Sequence, residues 1–240
     1  MIGIKISKNI INLYIKDKWL TEQFGYNVYN IKKLNRSIFE KIDSKGQKNF
    51  SYIKSIKKIK KKYLKQFNFN FTEETIIYRL KKNKSYVLNN NCRAANKKDK
   101  KFIIKLAKNS FTYSRFSQDP KIKNNLAKKI KENWINNYFL GKRGNKIIVY
   151  ELNNKILGFI LLIRKKTDLI IDLIAVDKKN RGMNIGSYLI GSSINIFNQC
   201  KYLLAGTQKN NIEALKFYKK NKFVIFKKGY TFHRHYKWKY

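Results

Sequence analysis

Residues 169–187 read LIIDLIAVDKKNRGMNIGS. Leu169, Ile170, Ile171, Leu173, Ile174, Ala175 and Val176 make an almost unbroken apolar run of strand length, closed by a polar turn at 177–180. Past Arg181-Gly182-Met183-Asn184-Ile185-Gly186-Ser187, the residues Ile185, Leu189, Ser192 and Ile196 recur at helical spacing. A strand, a turn rich in glycine and asparagine, and a helix start therefore follow one another. Gly182 and Gly186 lack a Cβ and Asn184 tolerates positive φ, so this backbone can curl and aim several N–H groups at one anion. The helix dipole adds attraction for a phosphate. A tight connection without a ligand is the alternative that the turn alone leaves open.

The rest of the composition sets bounds. At 240 residues and 43% hydrophobic, the chain can fill the core of one large domain or two small ones. No run approaches the roughly 18 apolar residues of a membrane span, and residues 1–10 lack the apolar core of a secretory signal, so a cytoplasmic protein is expected. Cys92 and Cys200 sit in no C-x-x-C spacing and read as reduced and structural. The net charge of +41 points toward a polyanion. Yet lysine, asparagine and isoleucine abound from end to end while proline occurs once, the mark of compositional bias, so nucleic acid is not the expected partner.

Residues 1 to about 80 suggest a small α/β unit. Ile2, Ile4 and Ile6 alternate, as do Ile11, Leu13 and Ile15, and the stretch from Phe24-Gly25-Tyr26 to Ile31 reads as a turn into a strand. Tyr52, Ile56, Ile59, Tyr63 and Phe67 mark one face of a helix opposite Lys54, Lys57, Lys58, Lys61, Lys62 and Lys65. That helix suits a core with a solvated lysine face, or a membrane or nucleic-acid surface. Residues 75–80 look like a strand and 81–91 like a linker, giving domains at 1–84 and 85–240.

In the second domain Asp99 is placed to cap a helix burying Phe102, Ile103, Leu106 and Ala107. Ser114-Arg115-Phe116-Ser117-Gln118-Asp119-Pro120 follows, with the proline expected in the first turn of a helix marked by Ile122, Leu126, Ile130 and Trp134. Arg115 on the preceding loop is a natural clamp for phosphate or carboxylate. Strands at 146–150, 156–163 and 169–176 follow, the first two joined by an Asn153-Asn154 turn, and a strand at 201–207 lies parallel to the third. Next, Asn210 and Glu213 have capping-box spacing, with Ala214, Leu215 and Tyr218 on one side of the helix; packing alone can explain that tyrosine.

Taken in order, the two helix starts resemble the GNAT superfamily of acetyltransferases. Arg181 and Gly186 match its Arg/Gln-x-x-Gly-x-Gly/Ala loop, with Asn184 where that pattern has glycine, and Asn-x-x-Ala-x-x-x-Tyr at Asn211, Ala214 and Tyr218 matches its second signature. The resemblance implies an α/β (α+β) fold with a mixed, largely antiparallel central sheet behind a smaller N-terminal domain. It implies acetyl-CoA as cosubstrate, without a metal, held by Ile174, Val176, Arg181, Gly182, Met183, Asn184, Ile185, Gly186, Ser187, Asn211 and Ala214. Tyr218 would then protonate the departing thiolate, and backbone N–H groups of 173–176 would polarise the thioester carbonyl.

A closer resemblance covers most of the chain. Arg93-Ala94-Ala95 with Asp99, the Ser-Arg-Phe and Asp-Pro segment, Trp134-Ile135 with Asn137, Thr207-Gln208, and Tyr230-x-Phe232-His233 look like the bacterial TDP-fucosamine acetyltransferase branch. That implies acetylation of the amino group of a nucleotide-linked amino-deoxy sugar for surface polysaccharide, with Arg115, Phe116, Asp172 and His233 on the acceptor side. Asp172 reads as a base, as a group that orients the amine, or as an exposed strand acid. Lys222 departs from the glycine usual before Phe223. His233 and His235 share one face of a strand at 230–238, and without a nearby carboxylate or cysteine they read as a poor metal site, with His235 at the surface. A peptide-acetylating GNAT and a non-catalytic nucleic-acid-binding scaffold are the competing readings, and a homodimer is left open.

Overall fold

The computed structural model describes residues 13–44, 46–82 and 86–236; the expected alternation of Ile2, Ile4, Ile6 and Ile11, and Trp238 of the last strand, lie outside them. From the N-terminus the elements are β1 (Tyr14–Lys16), α1 (Lys18–Phe24), β2 (Asn27–Ile31), α2 (Arg36–Asp43), β3 (Asn49–Ser55) and α3 (Lys61–Gln66). Then come β4 (Asn70–Lys81), β5 (Cys92–Ala94), α4 (Lys100–Ser110), α5 (Asn124–Phe139), β6 (Lys146–Leu152) and β7 (Lys155–Lys165). β8 (Asp168–Val176), α6 (Ile185–Ile196), β9 (Tyr202–Gln208), α7 (Ile212–Lys220) and β10 (Val224–Tyr236) complete the fold. The class is α/β with mixed, largely antiparallel pairing, as expected.

Contacts divide the chain into two compact units. One comprises Met1–Thr75, Gln118–Ile122 and Lys228–Tyr240; the other comprises Ile76–Ser117 and Lys123–Lys227. The boundary thus falls within β4 and within β10, whereas the sequence suggested a single cut at 84/85. The reason is long-range pairing: the end of β10 runs antiparallel to β3, from Tyr230 opposite Ser55 to Tyr236 opposite Asn49.

In the first unit β1 pairs antiparallel with β2, and β2 runs parallel to β3 through the crossover helix α2. Asp17 caps α1 by accepting the Leu20 N–H at 2.9 Å, and Gly25, at φ 72°, turns the chain into β2. Ile38, Phe39 and Ile42 of α2 pack with Ile31, Ile53, Phe69 and Phe232. The long helix expected across Tyr52, Ile56, Ile59, Tyr63 and Phe67 is not formed. Asn49 to Ile53 are buried in β3, which has a strand on each side, and α3 covers only 61–66. A strand buried on both faces shows no alternation, and here its apolar residues fell by chance at a spacing near four. Lys54, Lys57, Lys58, Lys61, Lys62 and Lys65 therefore share no single helical face.

The second unit is a sheet in the order β5-β6-β7-β8-β9, with the latter half of β4 beyond β9. The β6–β7 hairpin turns through Asn153 and Asn154 at φ 49° and 60°, the left-handed pair a two-residue turn requires. Both faces are covered. Ile148 and Tyr150 of β6 face α6 and α7, whereas Ile147 and Val149 face α4 and α5, so the middle strands read as continuous apolar runs. Two local expectations change. Phe102 is exposed, and Asp99, instead of capping α4, accepts the Asn96 N–H at 2.8 Å and binds Arg93 through both oxygens. Pro120 precedes α5, which starts only at Asn124.

Candidate active site

The site begins where two parallel strands part. β8 and β9 pair from Asp168/Tyr202 to Ile171/Ala205, yet β8 continues to Val176 and β9 to Gln208. The cause is a bulge. Leu173 lies opposite Leu161 and Ile171 opposite Leu162, so Asp172 is an extra residue in β8. Across it the faces exchange: Leu169 and Ile171 pack with α6, but Leu173 and Ala175 pack with α4 and α5, turning Ile174 and Val176 toward α6. The Asp177 N–H donates to the Leu157 carbonyl at 2.8 Å. By strand alternation the N–H groups of Ile174 and Val176 then point to the opposite edge, where β9 has separated.

The turn after β8 has the geometry its composition requires. Gly182 lies at φ 90° and Asn184 at φ 58°, so the asparagine occupies a left-handed position at the start of α6, and its side chain forms no bond to the helix. Residues 181–184 are exposed while Ile185 and Gly186 are buried. A Cβ on Gly186 would stand 2.6 Å from the Phe217 ring, so glycine at this position lets α7 approach the first turn of α6. Arg181 pairs with Glu213 at 2.5 Å. Glu213 therefore serves no capping box with Asn210. Asn211 caps α7 instead, its Oδ1 accepting the Ala214 N–H at 3.1 Å.

Tyr218 is 4% exposed and stacks on Tyr78 with ring centroids 5.3 Å apart; Phe223 meets it edge-on at 5.2 Å. Burial, aided by the Tyr78 phenol, pushes the Tyr218 hydroxyl above its ordinary value, so it keeps its proton throughout the neutral range. Lys222 sits at φ 61°, the conformation that glycine would adopt freely, and the following Phe223 N–H donates to the Tyr218 carbonyl at 3.0 Å. Ile174, Val176, Ile185, Ala214 and Tyr218 belong to one cluster of side chains.

The residues expected on the acceptor side have varied surroundings. Asp172 is not an exposed acid: Trp134 Nε1 donates to it at 2.7 Å, the Tyr138 hydroxyl at 2.8 Å, and Arg143 through Nε and Nη2 at 2.8 Å each. Burial alone would raise this carboxyl, but the hydrogen bonds and charge of Arg143, with Trp134 and Tyr138, hold it below the usual carboxylate range. A carboxylate so stabilised is a poor proton acceptor at neutral pH. Nothing in the local sequence marks its partners, which lie 29 to 38 residues away. Arg115 and Phe116 are buried, the guanidinium 4.3 Å from the ring centre.

His233 is 1% exposed. Its Nδ1 lies 2.7 Å from Asp119 Oδ2, and His235 Nε2 reaches the same oxygen at 2.7 Å. The histidines thus have the carboxylate neighbour that the local sequence lacked, and His235 is drawn in from the surface.

Comparison with known proteins agrees with this geometry. Residues 143–225 match the acetyltransferase (GNAT) domain family. The spore coat polysaccharide biosynthesis protein SpsD of Bacillus subtilis (strain 168) is 29% identical over 137 residues, covering 56% of this chain and 47% of SpsD. The chain therefore spans about half the length of that curated relative. Among solved structures, a functionally unknown conserved protein from Staphylococcus epidermidis ATCC 12228 superposes with a TM-score of 0.63 at 11% identity, over 96% of this chain and 98% of that one. A putative acetyltransferase of the GNAT family from Novosphingobium aromaticivorans DSM 12444 gives 0.55 at 8% identity, over 78% and 74%. These structures share the fold. Residues 143–225, which build the parted strands, the left-handed turn and the helix bearing Tyr218, are a GNAT acetyltransferase domain.

Proposed function

We propose that this chain transfers acetyl from acetyl-CoA to the amino group of a nucleotide-linked amino-deoxy sugar of the dTDP-4-amino-4,6-dideoxyhexose type. The observation that carries the reading is the parting of β8 from β9 beside the turn at 181–187. Acetyl-CoA supplies an activated thioester. In this reading the backbone of 181–187 and the start of α6 receive the pyrophosphate, with Arg181 exchanging Glu213 for phosphate oxygen. The N–H groups of Ile174 and Val176 donate to the thioester oxygen as charge develops on it. The amine attacks the carbonyl carbon, the C–S bond breaks, and Tyr218 gives its proton to the leaving sulfur. With Asp172 committed to Arg143, the attacking amine loses its proton to water.

Two considerations favour the sugar acceptor. The resemblance of the Ser114-Arg115-Phe116 and Asp119-Pro120 segments to sugar-nucleotide acetyltransferases extends beyond the matched domain, and SpsD carries a polysaccharide-biosynthesis name. Arg115 and Phe116 are assigned to the nucleotide side on that resemblance. The test is thiol release from acetyl-CoA with TDP-linked 4-amino-4,6-dideoxyhexoses, comparing the native chain with Tyr218→Phe. Release that needs the sugar and falls by ~10²- to 10⁴-fold in the variant supports the reading. Acetyl-CoA binding without release on any such sugar refutes the acceptor, and absence of binding refutes the reaction.

A further inference from the structure

Two imidazoles and a carboxylate converge in the unit formed by residues 1–75, 118–122 and 228–240. His233 and His235 are two residues apart on β10 and so project from one face of the strand. Asp119 reaches them from residues 118–122, which belong to the same compact unit as this end of β10. The three donor atoms lie within 4.8 Å of one another, and Asp119 Oδ2 is 2.7 Å from each imidazole nitrogen. The other carboxylate oxygen is fixed by the Lys121 N–H at 2.9 Å. Phe50 packs against both rings, with centroids 4.8 and 4.9 Å away, and Asp119 and His233 are buried. Acetyl transfer as derived above uses none of the three.

We propose that Asp119, His233 and His235 bind a divalent transition-metal ion of the zinc class. The donor set selects the ion: two imidazole nitrogens and one carboxylate oxygen suit zinc and its neighbours, whereas calcium and magnesium call for oxygen ligands. Two of the three donor spacings lie near what such an ion requires, and the two imidazole nitrogens, within 4.8 Å of one another, have to draw together. With bonds of about 2.0–2.1 Å, the donors around a tetrahedral ion stand about 3.3 Å apart, so each 2.7 Å contact opens by about 0.6 Å on binding. A strand holds His233 and His235 on one face, and the backbone bond from Lys121 orients the carboxylate, as outer partners of metal ligands do. Water completes the shell. The ion would tie residues 118–122 to β10 and stabilise this unit by mass action, independently of acetyl transfer.

The chain contains only these two histidines, which permits a direct test on the native protein. Tag-free, chelator-stripped protein labelled with ¹⁵N-histidine is titrated with Zn²⁺ and followed by NMR, with Co²⁺ absorption and thermal unfolding as parallel readouts. The expected result is saturation at one ion per chain, movement of both imidazole signals, a Co²⁺ ligand-field band displaced by Zn²⁺, and a rise in Tm. His235→Gln, checked for folding by circular dichroism, is expected to weaken binding at least tenfold, since even loss of an outer partner costs about 10- to 100-fold. Imidazole signals that stay in place, movement of only one, or equal binding by a folded His235→Gln each overturn the site. The NMR readout on native protein holds even if the variant does not fold.

Discussion

Replacement of Lys222 by glycine is expected to stabilise this protein. Lys222 follows α7 at φ 61° with its side chain exposed. An L-residue in the left-handed region costs roughly 1–2 kcal/mol through the approach of Cβ to the carbonyl oxygen. Glycine removes that cost but adds unfolded-state freedom worth about 0.4–1 kcal/mol. The difference is a net gain of about 0.5–1 kcal/mol, and in a chain of this size a kcal/mol corresponds to about 2–4 °C, so Tm is expected to rise by about 1–4 °C. The bonds that end the helix, from the Lys222 N–H to the Lys219 carbonyl at 2.9 Å and from the Phe223 N–H to the Tyr218 carbonyl at 3.0 Å, are backbone bonds that glycine keeps. Placement of Tyr218 is therefore unchanged. Lys222→Ala is the control, because it removes the same charge from a chain of net charge +41 but leaves a Cβ in the left-handed region. Scanning calorimetry and urea unfolding of the three proteins decide the matter. If the glycine variant is no more stable than native, the strain argument fails; if alanine stabilises as much as glycine, relief of charge repulsion and not backbone strain is the cause.

The remaining predictions concern the site. Asn184→Gly is expected to leave acetyl-CoA affinity, measured by calorimetry, within about a factor of two, while Asn184→Val weakens it by about tenfold because a β-branched residue resists the left-handed conformation at a cost of roughly 1–2 kcal/mol. Equal affinities in the two variants would disconnect the φ of 58° from binding. Asp172→Asn deprives Arg143 of its counter-charge and is expected to cost about 1–3 kcal/mol at neutral pH. Because the folded Asp172 carboxyl is held low, its contribution is full above pH ~4 and is lost as pH falls through the folded value. The stability gap between native and variant, followed by urea unfolding, therefore narrows below pH ~4; a gap independent of pH would show that the cost is one of packing. For Tyr218, whose phenol is raised by burial, thiol release is expected to show no alkaline decline below pH ~10 from this group, and a decline that vanishes in Tyr218→Phe would contradict the buried, protonated donor.

How much of this was legible depended on the range over which each feature is specified. The β6–β7 turn is written in two adjacent asparagines, and the strand–turn–helix of 168–196 in a local change of period. Asn184 and Lys222, the two departures from the family pattern, proved to share a left-handed backbone, which the pattern's glycines indicate but a lysine conceals. The central strand β3 is not recognisable from its sequence because burial on both faces erases the alternation that identifies a strand. The capping of α7 shifted by one residue, since Glu213 found a stronger partner in Arg181, 32 residues away in sequence.

Local sequence is enough to specify the elements within residues 143–225, the need for a curled turn before α6, and the residue types available for proton donation. Those depend on φ preferences and on the periodicity of neighbouring residues, which the chain carries locally. Tertiary structure alone decided where β8 and β9 part, that Asp172 is bound by Trp134, Tyr138 and Arg143, and that Asp119 meets His233 and His235. Register and side-chain convergence join residues separated by up to 116 positions, as Asp119 and His235 are, and no local preference encodes such a distance.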